Sequence, residues 1–179
     1  MPRNNKFIDQ ANIRSELLGY VYDTINLSRL NYKILEYGED LQMLNEKKYF
    51  IAPNYTGSNC LLVFIRLRDK YFSFFVDRKT LTYSFKSLNL NKVKIYPVEY
   101  NLTEEIYKGT IFDGILLPEV NGQRTYMIYD TYRFLGNDML NDKLDYKMIN
   151  ISTYLSTFYH SSPTARNGLA INELHGLFE

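Results

Sequence analysis

An α+β domain, with a mainly antiparallel β core and flanking N-terminal and C-terminal helices, is the fold class that three observations predict. Apolar residues recur every four positions near the N-terminus, at Ile13, Leu17, Val21 and Ile25, which is the stripe of an amphipathic helix. After Tyr49 the pattern changes to short β-rich runs separated by turn residues, the spacing expected of hairpins. Helical spacing then returns beyond Gly136-Asn137. Helix, a block of strands and helix, in separate blocks, is the order of an α+β domain rather than of a doubly wound parallel one.

Each element follows from its residues. The first helix is predicted from about Ile8 to Leu30, where Leu18 and Tyr22 widen the apolar stripe. Strand runs follow at Tyr49–Ile51, Leu61–Leu67, Tyr71–Val76, Leu81–Phe85, Val93–Tyr100, Thr110–Val120 and Thr125–Tyr129. Pro53, Gly57 and the polar pairs Arg68-Asp69 and Asp77-Arg78 interrupt them and read as turns. Asn121-Gly122 is the strongest hairpin signal in the chain, because both residues tolerate the positive φ of a two-residue turn. Simple alternation along Thr125–Tyr129 places Tyr129 on the side of Met127 and opposite Ile128 and Asp130. Leu140, Leu144, Met148, Ile149, Ile151, Tyr154, Leu155 and Phe158 are spaced for the buried stripe of a helix from about Asp138 to Phe158, and Gly168 to Glu179 reads as a last strand. The chain is taken as a single domain, 1–179, with 1–48 an N-terminal helical segment and 49–179 the core.

Composition excludes several function classes. Apolar residues at 45% and charged residues at 23% are enough for a packed core and exclude a disordered tail. Lys and Arg number 21 against 20 Asp and Glu, for a net charge of +1, so there is no bulk cationic field and any phosphate site must be local. The 17 Tyr and 11 Phe reflect in part an AT-rich genome of the kind that viruses and parasites carry. Cys60 stands alone in the run Cys60-Leu61-Leu62-Val63-Phe64-Ile65 and is expected to be a buried thiol. The polar start, Met1 to Lys6, predicts neither a signal peptide nor a membrane span, hence a reducing intracellular location, cytoplasmic or nuclear. His160 and His175 have no Cys or His at metal-ligand spacing. No glycine-rich phosphate loop and no nucleophile elbow is present.

Five short segments in order carry a resemblance. They are Asn54-Tyr55-Thr56-Gly57-Ser58-Asn59, Phe74-Phe75-Val76-Asp77-Arg78, Ile111-Phe112-Asp113-Gly114-Ile115-Leu116, Tyr126-Met127-Ile128-Tyr129-Asp130 and His175-Gly176-Leu177-Phe178. From about Tyr49 to the C-terminus the chain resembles the nucleotidyltransferase domain of mRNA capping guanylyltransferases, relatives of DNA and RNA ligases. The resemblance implies that Tyr129, just before Asp130, stacks on guanine. It also places Asp113 and Gly114 in the third motif, and Arg78 in the turn between the two strands after the nucleophile.

Departures from that family set the expected function. Where the family has a lysine that attacks the α-phosphate of GTP, this chain has Asn54, and the rest of that motif keeps only Gly57. A carboxamide has no amine lone pair for phosphoramidate chemistry. Ile115 replaces a glutamate, Asn59 an arginine and His175 an acidic residue of the family motifs. The later lysine-bearing motif and the oligonucleotide-binding-fold domain of the family have no counterpart in the chain. The resemblance therefore implies a non-catalytic module that binds a guanine nucleotide or a capped RNA end through Tyr129, Asp130, Arg78, Asp113, Gly114, Asn54, Gly57 and Asn59. Such a module would serve as a subunit or fragment of a capping apparatus, with a protein partner of a capping or transcription complex, no membrane partner and no cofactor. The alternatives are an active guanylyltransferase completed by another chain or a missing segment, which would need magnesium, and a purely structural subunit.

Overall fold

The central strand explains the layering. In β2 (Ser58–Leu67) six consecutive residues, Cys60 to Ile65, are buried, so both faces of the strand must be covered. Cys60, Leu62 and Phe64 belong to one apolar cluster and Leu61, Val63 and Ile65 to a second, as the period of two requires. The computed structural model describes residues 8–27, 48–160 and 165–176 together with positions 35, 38, 42 and 44. Helix α1 (Ala11–Thr24) covers the second cluster with Ile13, Leu17, Leu18 and Val21. Helix α2 (Leu144–Phe158) covers the first with Met148, Ile151, Tyr154 and Leu155. The fold is α+β, a mostly antiparallel sheet between two helices, and neither helix is long and apolar enough to cross a membrane.

Five antiparallel pairings build the main sheet. It runs β4 (Ile95–Pro97), β3 (Lys70–Asp77), β2, β5 (Thr110–Leu116), β6 (Arg124–Phe134) and β7 (Asn137–Asp138), with β8 (Asn167–Ile171) added to β6 in parallel. Arg68 and Asp69 have φ of 48° and 60° and close the β2–β3 hairpin at Leu67 and Lys70. Asn121 and Gly122, with φ of 52° and 78°, form the expected two-residue turn, and Val120 and Gln123 exchange both backbone hydrogen bonds across it. A separate small sheet pairs β1 (Phe50–Ile51) with β9 (His175–Gly176).

Several expectations are corrected. Leu81–Phe85 is not a strand: residues 78–94 leave β3 as a loop with two short 3-10 turns, Arg78–Thr80 and Phe85–Ser87. Its backbone bonds go to Tyr22, whose hydroxyl donates to Thr82 O at 2.8 Å and accepts from Thr82 N at 3.1 Å, so no strand partner is needed. Asp77-Arg78 accordingly opens that loop rather than a hairpin. The strand expected at Val93–Tyr100 is confined to Ile95–Pro97, and the one at Thr110–Val120 ends at Leu116. The strand expected to end at Tyr129 continues to Phe134. Residues 138–143 are not helical, because β7 and a turn precede Leu144. The first helix ends at Thr24; residues 28–30 of the expected span and 177–179 of the expected last strand lie outside the described residues.

Two irregularities in the β5–β6 register matter most. Asp113 faces Asp130 but Gly114 faces Ile128, so Tyr129 is an extra residue, and a second shift passes over Tyr132. The alternation expected around Tyr129 therefore fails, because each extra residue re-aims the side chains beside it. Gly114 is required by packing: a Cβ there would lie 2.1 Å from Met127 O and 3.0 Å from the Tyr126 ring. Gly114→Ala should thus lower the unfolding free energy by about 1–3 kcal/mol through overpacking. Gly122→Ala, whose Cβ meets open space, should lose about 1 kcal/mol from positive φ alone. Urea unfolding of both variants checks this, and a Gly114→Ala variant as stable as the wild type would rule out the close β5–β6 approach.

Candidate functional site

The sheet gathers the sequence-predicted residues at one end. β2 begins there with Ser58, β3 ends there with Asp77 opposite Cys60, and β5 places Asp113 opposite Leu61. Asp130 on β6 faces Asp113 across the next ladder. Arg78 is the first residue past β3, in a tight turn where Asp77 accepts from Lys79 N at 2.9 Å and from Thr80 Oγ1 at 2.7 Å. β3 and β5 flank β2, two strand spacings or about 10 Å apart, a span an arginine side chain can reach. Arg78 Nη1 donates to Asp113 Oδ2 at 2.6 Å.

Asp113 is the most constrained charge of the site. It is buried, and the Tyr132 hydroxyl donates to the same Oδ2 that receives Arg78. Burial pushes its carboxyl above the usual range, and Asp130 pushes in the same direction, against the lowering effects of Arg78 and Tyr132. Burial and the neighbouring Asp113 charge likewise raise the Tyr132 phenol. Asp130 is held separately: Lys147 Nζ from α2 donates to its Oδ1 at 3.0 Å and Thr131 N at 2.7 Å. The Lys147 side chain is only 5% exposed.

Tyr129 faces the segment that enters β2. Its hydroxyl accepts from Tyr55 N at 3.2 Å and donates to Pro53 O at 3.4 Å. Pro53 O also receives Asn172 Nδ2 at 3.0 Å, while the buried Asn172 Oδ1 has no hydrogen-bond partner. Asn54, Gly57 and Asn59 are exposed on this segment and the start of β2. Gly57 is needed because a Cβ would lie 2.4 Å from Leu116 O, and Asn59 pairs in register with Ile115. Beside them a cleft of about 490 Å³ is lined by Tyr55, Thr56, Leu117, Val120, Gln123 and Thr125, among others. Among the described residues no hydrogen bond or ion pair joins Asn54, Gly57 or Asn59 to Arg78 or Asp113, so the site is two adjoining groups. His175 lies in β9 opposite Ile51, 3.6 Å from Glu173.

Three residues were not singled out from sequence: Tyr132, Lys147 and Asn172. Lys147 carried a readable signal, since it falls in register with Ile151, Tyr154 and Leu155 on the apolar stripe. Tyr132 lay past the expected end of its strand, and Asn172 had no local signal.

The groups of the site differ in how far each is already committed. Arg78, with its side chain 30% exposed, can offer remaining N–H donors to a phosphate. The Lys147 ammonium is committed to Asp130, and the Cys60 thiol is buried and pushed up to about 12, by burial first and then by Asp77 and Asp113. A thiolate is the reactive form.

No family model matches the sequence. The chain is 24% identical over 148 residues to an uncharacterized protein of Acanthamoeba polyphaga mimivirus, a match covering 79% of this chain and 44% of that protein. The chain thus spans less than half the length of this viral relative.

Two measurements check the electrostatics. Since the folded-state pKa of Asp113 lies above its ordinary 3.8, folding takes up a proton here. This contribution is complete below that ordinary value and is lost as pH rises through the folded pKa. The stability advantage of wild type over Asp113→Asn should therefore shrink as the pH is raised above that ordinary value in urea titrations; an advantage that grows would mean that the Arg78 pairing outweighs burial. Cys60, in turn, should resist iodoacetamide at about pH 8 in the native chain and react once unfolded. Rapid native alkylation would contradict its burial.

Proposed function

We propose that this chain is a guanylyltransferase-like module that binds a guanine nucleotide or a capped RNA end without transferring it. The supporting observation is convergence: Arg78, Asp113, Gly114, Tyr129, Asp130 and the segment bearing Asn54, Gly57 and Asn59, distant in sequence, meet at one end of one antiparallel sheet. In this reading Tyr129 supplies the face for the guanine, Arg78 meets phosphate, and Asp113 orients Arg78 rather than touching ligand. The cleft next to Tyr55 and Thr56 gives a flat ring room to enter. Catalysis is absent because Asn54 occupies the nucleophile position and Lys147 is engaged with Asp130. The nucleotidyltransferase-like fold and a role in a capping or transcription complex belong to this same proposal.

Titration of GTP and of a 7-methylguanosine cap analogue tests it. Tyr129→Ala should weaken binding by about tenfold to a hundredfold, the worth of one stacked base, whereas Tyr129→Phe should retain most of it. Arg78→Ala should flatten the salt dependence instead. Incubation with radiolabelled GTP and magnesium should leave no label on the denatured chain. A labelled band would establish nucleotidyl transfer, and no binding by the wild type would return the domain to a structural role.

A further inference from the structure

The loop 78–94 concentrates charge that the chain as a whole lacks. It holds five cations, Arg78, Lys79, Lys86, Lys92 and Lys94, and no carboxylate, in a chain whose net charge is only +1. The four lysines are exposed, and among the described residues none of them forms an ion pair. Tyr83 is 73% exposed and Phe85 37%, so two aromatic rings stand among the ammonium groups.

The loop is built to present these groups. Leu81, Leu88 and Leu90 pack inward on the second apolar cluster. Asp77 N donates to Lys94 O at 3.0 Å and Lys94 N to Thr80 Oγ1 at 3.1 Å, which returns the loop to the point it left. From α1, Arg14 Nε donates to Leu90 O at 2.8 Å, Tyr22 fixes Thr82, and the Tyr22 ring lies 5.5 Å from that of Phe85. With its apolar residues and much of its backbone engaged, the loop turns cations and Tyr83 to solvent. Exposed cations on both sides of an exposed aromatic ring match a single strand of nucleic acid, whose phosphates meet the ammonium groups while unpaired bases stack.

We propose that loop 78–94 is a binding surface for single-stranded nucleic acid, continuous with the candidate nucleotide site through Arg78. It goes beyond the guanine-binding reading and does not rest on it, because an oligouridine with a 5′-hydroxyl end offers that site no guanine, no cap and no terminal phosphate.

Fluorescence anisotropy with a 5′-hydroxyl oligouridine of about 12 nucleotides tests it on the full chain. Four lysine contacts give a logarithmic salt slope near −3, about a fiftyfold loss between 50 and 200 mM salt. Replacing Lys79, Lys86, Lys92 and Lys94 together by Gln should flatten that slope. Tyr83→Ala should weaken binding about tenfold and leave the slope unchanged. Thermal unfolding confirms that the variants fold, and Tyr83→Ala alone tests the proposal if the fourfold variant does not. Comparable binding of oligothymidine supports the same surface. The proposal is overturned if the wild type does not bind at 50 mM salt, if neither variant changes binding, if an RNA duplex binds as tightly with no effect of Tyr83→Ala, or if a polyglutamate peptide binds as well as the oligonucleotide.

Discussion

Everything in this fold depends on burying β2 on both faces. Six consecutive buried residues, Cys60 to Ile65, leave no face for solvent, so the strand demands neighbours on both edges and a layer on each side. β3 and β5 supply the edges, and α1 and α2 supply the layers. The site inherits its position from this arrangement. Asp113 lies on one of the two strands that flank β2 and Arg78 directly follows the other, and they meet because β2 holds those strands a fixed distance apart. The pair is accordingly uneven, with the Arg78 side chain 30% exposed and that of Asp113 12%.

Local chemistry made much of the fold legible in the sequence. Arg68-Asp69 and Asn121-Gly122 were readable because a two-residue hairpin depends only on residues that accept positive φ, wherever the strands then go. The helical stripes were readable because their spacing is likewise local, although the second helix starts at Leu144 rather than near Asp138 and leaves Leu140, Ile149 and Phe158 exposed. Leu81–Phe85 misled because β-favouring residues say nothing of the partner, and here a tyrosine hydroxyl on α1 takes the place of one. The parallel pairing of β8 with β6 was hidden because it joins residues about forty positions apart across a helix.

The sequence named residues that the sheet brings to one end, but not how they are arranged there. Asp113, Asp130 and Arg78 could be picked out by motif order, but the extra residues at Tyr129 and Tyr132 depend on which residues face each other across two strands. The same register aims Tyr132 at Asp113 and leaves Asp130 to a lysine from α2. Gly114 and Gly57, read as nucleotide-binding glycines, each have a packing reason in Met127 O and Leu116 O. A motif glycine can therefore persist for the backbone's sake whether or not a ligand ever lies against it.

The small β1–β9 sheet gives the site an order of assembly. Phe50 pairs with Gly176, and Asn172 holds Pro53 O, so the segment carrying Asn54 and Gly57 is fastened by residues 172–176, far from it in sequence. During synthesis the β2–β3 hairpin and the β5–β6 pair can form while the ribosome still holds β8 and β9. The wall facing Tyr129 cannot be set until those strands emerge. A chain in which β8 and β9 have not yet docked would then carry most of the main sheet while the segment at Asn54 and Gly57 is still unfastened, so this corner is the last part of the sheet end to be set.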